Sequence, residues 1–459
     1  MKKLTILAVL LAATTLASAA DTTSALLKGV YKKYATSVAM GRLEIKNEAG
    51  TTAQTGTAVC IRKDGLYLVS GLNGSFNIEN LDNCKLIFPG QNRKTITASF
   101  IGFDPLTGLG FLQASKAEAH THTPVPFQAK SAATVGDKVL SLGLSTTDAA
   151  ITPTLGVAYI ASVHRVPNLQ IHVTGGTLTS AGSVVFNTSG QAIGLVLSQP
   201  WTPHLMPNRN GGTANMPLRN QEATSNFTPV EEFVFALAAP PKGMRRMPWI
   251  GVGSYSVVHE DYAPKGKKLT SPAVKLDSVI PGDPADTAGI RNGEMIVSLN
   301  GKVLPTFANN ALLTRWLVHQ IGRAGSSKIS LGILSTAGVR RTVQLQPVPI
   351  RKLPAEAVKV YNKVLGLLAR EKVFLDSFLD KSPTAKIPGL LVIGVGRGTP
   401  CALAGLRVGD VIVGIGTKPV SSADAAKTLM NAAQKASKPV RFTVKRGTNT
   451  EIITVRFPS

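Results

Sequence analysis

Short apolar runs alternate with turn residues along most of this chain. Thr57-Ala58-Val59-Cys60-Ile61 and Leu66-Tyr67-Leu68-Val69-Ser70 are β-rich runs joined through Lys63-Asp64-Gly65. An Asp-Gly turn between two such runs predicts a hairpin. Further strands are predicted at Lys85–Phe88, Ile96–Gly102, Gly110–Gln113, Lys138–Leu142, Ile151–Ser162, Gln170–Val173, Val184–Phe186 and Ala192–Leu197. Regularly spaced short strands with Gly, Asn, Asp and Pro between them predict barrels or a sandwich. An amphipathic stretch, Leu26 to Tyr34, precedes them. Residues 199–225 are rich in Pro, Asn, Gly and Thr and read as an irregular loop. Phe227 to Glu232 opens a short helix, with Thr228 as N-cap and Pro229 in the first helical position. Ala239-Pro240-Pro241-Lys242-Gly243 reads as a linker.

The remainder contains a repeat. One copy runs from Val279-Ile280-Pro281-Gly282-Asp283-Pro284-Ala285 through Ala288-Gly289-Ile290 to Gly293-Glu294-Met295-Ile296-Val297. The other runs from Val395-Gly396-Arg397-Gly398-Thr399-Pro400-Cys401 through Ala404-Gly405-Leu406 to Gly409-Asp410-Val411-Ile412-Val413. Each leads into a turn (Asn300-Gly301; Gly416-Thr417), a helical stretch and a final hairpin. Glycines recur where turns need positive φ. Two tandem copies of one module account for the pattern.

With 459 residues the chain has room for about three domains. Lys2-Lys3, the apolar run Leu4 to Leu16 and the small-residue site Ala17-Ser18-Ala19 read as a secretory signal over residues 1–19. The run is too short for the ~20 residues of a spanning helix. An exported protein follows, periplasmic or envelope-associated if the source has two membranes. Cys60, Cys84 and Cys401 make an odd set rather than a disulfide framework. Cys60 and Cys84 could pair in an oxidising compartment, or stand as two buried free thiols. No spacing points to a metal site, and no cofactor is called for. The net charge of +24 is concentrated toward the C-terminus, with +3 over residues 21–240, +8 over 241–350 and +11 over 351–459. Such a field could draw the protein to an anionic envelope surface. Dispersed basic residues without interleaved aromatics or a nucleic-acid motif argue against specific nucleic-acid binding.

The repeat resembles PDZ domains of the bacterial high-temperature-requirement (HtrA/Deg) type, through the pattern P-G-x-P-A-x-x-A-G-[LI]-x-x-G-[DE]-x-I. The resemblance implies that each module takes a peptide as an added strand, with the terminal carboxylate on the backbone N–H groups of a short loop. Those loops would be Trp249-Ile250-Gly251-Val252 and Leu365-Gly366-Leu367-Leu368. The second module carries a charged stretch, Arg370 to Lys386, that could alter access to its groove.

The N-terminal half resembles the protease domain of the same family, two barrels of the trypsin type. Its anchors are the Lys63-Asp64-Gly65 hairpin, Asp104 to Gly110, Val135-Gly136-Asp137-Lys138-Val139 and the region from Gly176 to Leu195. The expected fold is therefore mainly β: a trypsin-like double β-barrel over residues 20–240, then PDZ domains over 246–350 and 355–459. Hydrolysis on that fold needs a hydroxyl nucleophile, an imidazole base and an orienting carboxylate. Asn73 stands in the histidine position, Gly108 in the aspartate position and Ala181 in the serine position. Ser180 and Ser183 flank Ala181, but a shift of one or two residues turns a side chain away from the attack site. Thr179 and Ser183 also replace glycines that would shape the oxyanion turn.

The resulting expectation is a pseudoprotease that binds peptide C-termini or unfolded segments through its PDZ modules. It would act as an adaptor, chaperone or regulator in envelope protein quality control. One alternative is an active endopeptidase with a non-standard catalytic set. Another is a basic scaffold tethered to an anionic surface. The resemblance also implies a homotrimer.

Overall fold

The structure, a computed structural model, describes residues 22–457 apart from 48–49, 75, 77, 91–92, 119, 147–150, 166–167, 198–200, 208–212, 220–224, 259–268, 270, 308–309, 353 and 380–386. The predicted secretory signal, residues 1–19, lies outside the described residues. No helix among them is long and apolar enough to cross a membrane. The chain divides into two compact units. One ends at Pro349, and the other holds Ile350–Ser459 with the short segments Lys46–Thr52 and Ser75–Asn80.

The first barrel is built from β1 (Val38–Asn47), β2 (Gly50–Cys60), β3 (Leu66–Ser70), β4 (Leu81–Ile87), β5 (Thr95–Asp104) and β6 (Leu109–Ala114). They pair in the order β5-β4-β1-β2-β3-β6, and a β5–β6 pairing closes the ring. The Asp-Gly hairpin forms as predicted: Gly65 takes φ 84° and its N–H donates to the Arg62 carbonyl at 3.1 Å. The second barrel holds β7 (Lys138–Thr146), β8 (Ile151–Arg165), β9 (Leu169–Thr177), β10 (Val184–Phe186), β11 (Ala192–Leu195) and β14 (Ser225–Pro229), closed as β10-β11-β14-β9-β8-β7.

One apolar cluster joins the barrels, with Val59, Leu68 and Phe111 from the first and Leu142, Val184 and Phe186 from the second. Closure leaves no strand edge unpaired, and full burial of each such side chain contributes about 2 kcal/mol. The amphipathic stretch is a helix over residues 22–34. It buries Val30 and Tyr34 in this cluster, and Tyr34 stacks on Phe186 with ring centroids 5.3 Å apart.

Three local readings change. Residues 199–225 are not wholly irregular, because β12 (Trp201–Pro207) and β13 (Thr213–Arg219) form an antiparallel ribbon. Pro203 and Pro217 face each other in it, which a two-stranded ribbon tolerates because each strand keeps a free edge. Thr228 is not an N-cap, since it remains in β14, paired with Leu195, and Pro229 precedes the 3-10 turn Val230–Glu232. The linker is not free either. Gly243–Met244 pairs in parallel with β5 opposite Gly102 and Phe103, and a Cβ at Gly102 would collide with the linker backbone.

The repeat folds as the sequence implies. In the first module strands Val252–Val258, Ala273–Val279, Met295–Leu299, Ile329–Leu334 and Arg340–Leu345 pair in that order, with helix Asn310–Ala324 packed on Val252–Val258. In the second, Leu367–Glu371, Leu390–Val395, Val411–Ile415, Val440–Arg446 and Asn449–Val455 repeat the order, with helix Ala423–Lys435. A buried acid is clamped at one place in each. Arg341 meets Glu294 at 2.8 Å and the Gly289 carbonyl at 2.9 Å. Arg446 meets Asp410 at 2.7 Å and the Gly405 carbonyl at 2.9 Å. The second module has one strand more at its sheet edge, Lys359–Asn362.

Candidate functional site

Three segments meet at one corner of the first barrel. At the end of β3, the Ser70 hydroxyl donates to the Thr57 carbonyl at 3.4 Å. The Thr57 hydroxyl donates onward to the Ala181 carbonyl at 3.0 Å. Gly182 sits over this pair with φ 89°, and a Cβ there would strike Ser70 Oγ and Thr57 Cβ. Beyond Ser70, Leu72 packs over Gly110 and Gly74 lies against the Phe103 ring, so closely that neither glycine has room for a Cβ. Phe103 and Gly110 pair across β5 and β6, flanking the loop in which Gly108 takes φ 71°. The segments that carry Asn73, Gly108 and Ala181 thus adjoin one another.

The functional groups at this corner are engaged elsewhere. Ala181 is exposed and carries only a methyl group. The Asn73 backbone N–H donates to Gln54 Oε1 at 2.9 Å. The Ser180 hydroxyl donates to the Leu144 carbonyl at 2.6 Å, and that of Ser183 to the Ser180 carbonyl at 2.5 Å. Ser183 is fully buried against Gly143, where a Cβ would displace it. The Thr179 N–H donates to Ser141 Oγ at 3.1 Å and the Gly182 N–H to the Val196 carbonyl at 2.5 Å. Asp104, fully buried, is a carboxylate close by, and it accepts from the Thr107 hydroxyl at 3.0 Å with Arg245 at 3.7 Å.

Among the described residues, His120, His122, His164 and His172 make their contacts elsewhere. His122 bonds the Tyr67 hydroxyl at 3.0 Å and abuts Gly65, at the other end of β3, roughly 13 Å along the strand from Ser70. His120 packs at a tilt against Phe88 with centroids 4.1 Å apart. His164 and His172 pair on β8 and β9, 5.0 Å apart. Among the described residues no group of three His, Cys, Asp or Glu side chains could hold a metal.

Cys60 and Cys84 are free thiols, not a disulfide. They lie on β2 and β4 with β1 between them, about 10 Å apart across two strand spacings, beyond the reach of an S–S bond. Burial pushes both thiols up to about 11, and that of Cys401 up to about 12.

The two module loops are held alike. The Ile250 carbonyl accepts the Ala285 N–H at 2.8 Å and the Gly251 carbonyl accepts the Ile280 N–H at 2.9 Å. In the second module the Leu365 carbonyl accepts the Cys401 N–H at 3.1 Å and the Gly366 carbonyl accepts the Gly396 N–H at 2.9 Å. Gly251 and Gly366 take φ 86° and 71°, each with its Cα against the residue that precedes the repeat's proline, Asp283 or Thr399. Trp249 Nε1 also donates to Asp283 Oδ2 at 3.0 Å. Each loop therefore leads its strand out beside the module helix.

The comparisons agree with this architecture. A PDZ domain model matches residues 367–457. A probable periplasmic serine endoprotease, DegP-like, of Hahella chejuensis is 26% identical over 381 residues, covering 80% of this chain and 73% of its own. The periplasmic serine endoprotease DegP of Escherichia coli K12 is 24% identical over 414 residues, covering 86% of this chain and 75% of its own. The chain is similar to HtrA/DegP-type serine proteases along most of its length and matches a PDZ domain at its C-terminal end. A solved variant of the HtrA-type protease AlgW with a decapeptide superposes with TM-score 0.50 at 15% identity, over 72% of this chain and 99% of that one, and shares the fold.

Two further features of the chain emerge from the fold. The first module's helix meets the second barrel, with His319 Nε2 3.7 Å and Arg323 Nη1 3.5 Å from Glu232 Oε2. Burial, with Arg323 adding to it, pushes His319 down to about 4. No local motif announces a pairing between residues so far apart in sequence. The second is Asn362, whose Oδ1 accepts the Leu365 N–H at 2.9 Å. The alternation Val358-Lys359-Val360 before Gly366 was a strand signal for that region.

Proposed function

We propose that this chain is a periplasmic pseudoprotease of the HtrA/DegP type, a binder of peptide C-termini and unfolded segments that does not hydrolyse them. The observation that carries the reading is the turn from Thr179 to Ser183. Its hydroxyls and the Thr179 and Gly182 N–H groups are bonded to protein atoms, and Ala181 carries no hydroxyl. Acyl transfer needs a nucleophile, a base within hydrogen-bond reach and N–H groups free to meet the oxyanion. Asn73, Gly108 and Ala181 supply neither a base nor a nucleophile.

Binding would fall to the first module, read as a PDZ domain over 246–350. Its strand Val252–Val258 has no partner on the side facing the helix Asn310–Ala324 among the described residues. Partly buried Tyr255, Val257 and Trp316 add apolar surface to that module. A peptide would add a strand there, its carboxylate at the loop Trp249 to Val252. Fluorescence anisotropy tests this with one unfolded-type peptide bearing a free or an amidated C-terminus. Amidation is expected to weaken binding about tenfold or more, some 1.4 kcal/mol. Equal affinity for both would contradict carboxylate recognition. The family resemblance carries with it a homotrimer, which light scattering would detect.

A tethering role is a second reading, favoured by the outer face of the C-terminal ribbon. Ile452 is 72% exposed there, flanked by exposed Arg441 and Arg456.

A further inference from the structure

The two modules match strand for strand, with one exception. In the first, Val252–Val258 is the end of its sheet among the described residues. In the second, the equivalent strand Leu367–Glu371 is not, because Lys359–Asn362 pairs antiparallel along that edge. The register places Lys359 opposite Arg370, Val360 opposite Ala369, Tyr361 opposite Leu368 and Asn362 opposite Leu367. Helix Ala423–Lys435 packs on Lys359–Asn362 as well as on Leu367–Glu371. The added strand therefore lies in the position that a strand-adding peptide would take.

Its side chains complete the likeness. Val360 is buried in the module's core cluster together with Leu365, Leu367, Ala426 and Met430. At the loop end, where a peptide would present its carboxylate, the Asn362 carboxamide oxygen accepts the Leu365 N–H at 2.9 Å. At the far end Arg370 forms a bidentate pair with Asp376, 2.6 Å on each arm, and the Glu371 carboxylate accepts the Ala423 N–H at the helix start at 3.1 Å.

We infer that the second module carries its own ligand: Lys359–Asn362 fills its peptide groove, with the Asn362 amide oxygen in place of a terminal carboxylate. The inference rests on the peptide-groove reading of the first module, since that defines what the edge is for. The groove is thus matched to an internal extended segment, with a β-branched residue two positions before an amide side chain, rather than to a free C-terminus. Only the tight loop of residues 363–366 separates the segment from its groove, so its effective concentration is of order millimolar or above. A peptide present at micromolar levels competes poorly against it, and peptide capture is left to the first module.

Hydrogen exchange on the full chain, with and without a C-terminal peptide, tests this. Without peptide, the amides of Lys359–Asn362 and Leu367–Glu371 are expected to be protected together, and added peptide should change neither. Asn362→Asp keeps an acceptor for Leu365 and should keep the protection. Asn362→Leu combined with Val360→Thr should lower it at residues 359–362 by about tenfold or more. That variant should also open a second peptide site per chain, with the ribbon Val440–Val455 still protected as evidence of a folded module. The inference is overturned if the wild-type chain binds peptide at Leu367–Glu371, or if residues 359–362 exchange freely while that ribbon stays protected. Should no peptide bind the first module, the peptide-binding reading fails while the ligand-free protection still decides whether the groove is filled.

Discussion

The Thr57 hydroxyl donates to the carbonyl of Ala181 at 3.0 Å, across 124 positions of sequence. That bond ties the turn of the second barrel to the end of the first barrel's hairpin. It also fixes where a side chain at position 181 projects, whichever residue stands there.

Restoring the hydroxyl alone should therefore restore nothing. Ala181→Ser is expected to show no proteolysis above the wild-type chain, because neither Asn73 nor Gly108 supplies a base or an orienting carboxylate. Release of labelled fragments from unfolded casein is the check. Recovered activity would mean that a base reaches this corner unseen.

Gly182 supports the same turn. It holds φ 89°, and a methyl group would press on Ser70 and Thr57. Gly182→Ala should destabilise the chain by about 3 kcal/mol through left-handed backbone strain and overpacking, measured by urea denaturation.

The contact between the first module and the second barrel is sensitive to acid. His319 and Arg323 both face the Glu232 carboxylate, and burial holds His319 down at about 4 against about 6.5 when unfolded. The unfolded chain takes up the proton first, so stability is lost as pH falls from about 6.5 to about 4, by roughly 3 kcal/mol in total. His319→Gln should have a flatter acid limb than wild type in denaturation measured across that range. Parallel acid limbs would contradict this.

Charge gives the tethering reading its test. Flotation with anionic phosphatidylglycerol vesicles should show binding at low salt that fades near 0.15 M, where the screening length is about 8 Å. Substituting Arg441, Ile452 and Arg456 together should abolish it. Retention at high salt would contradict an electrostatic attachment.

How much was legible in the sequence follows from how local each determinant is. The Lys63-Asp64-Gly65 hairpin and the two module copies were readable because their glycine turns impose conformation over a few residues. The link from Thr57 to Ala181, the docking of His319 on Glu232 and the pairing of β5 with the linker all join distant residues, and no local pattern encodes them. Ser180 and Ser183 are plain in the sequence, but only the fold reveals the backbone carbonyls their hydroxyls reach. Cys60 and Cys84 left two outcomes open until strand order placed β1 between them. The strand Lys359–Asn362 is too short for its alternation to stand out beside the longer runs around it.

The central claim is that this chain binds without cutting. The most direct measurement incubates the purified mature protein with unfolded casein and, in parallel, with a serine-directed fluorophosphonate. A chain that binds without cutting leaves casein intact and takes no label. Cleavage accompanied by a labelled serine would contradict it.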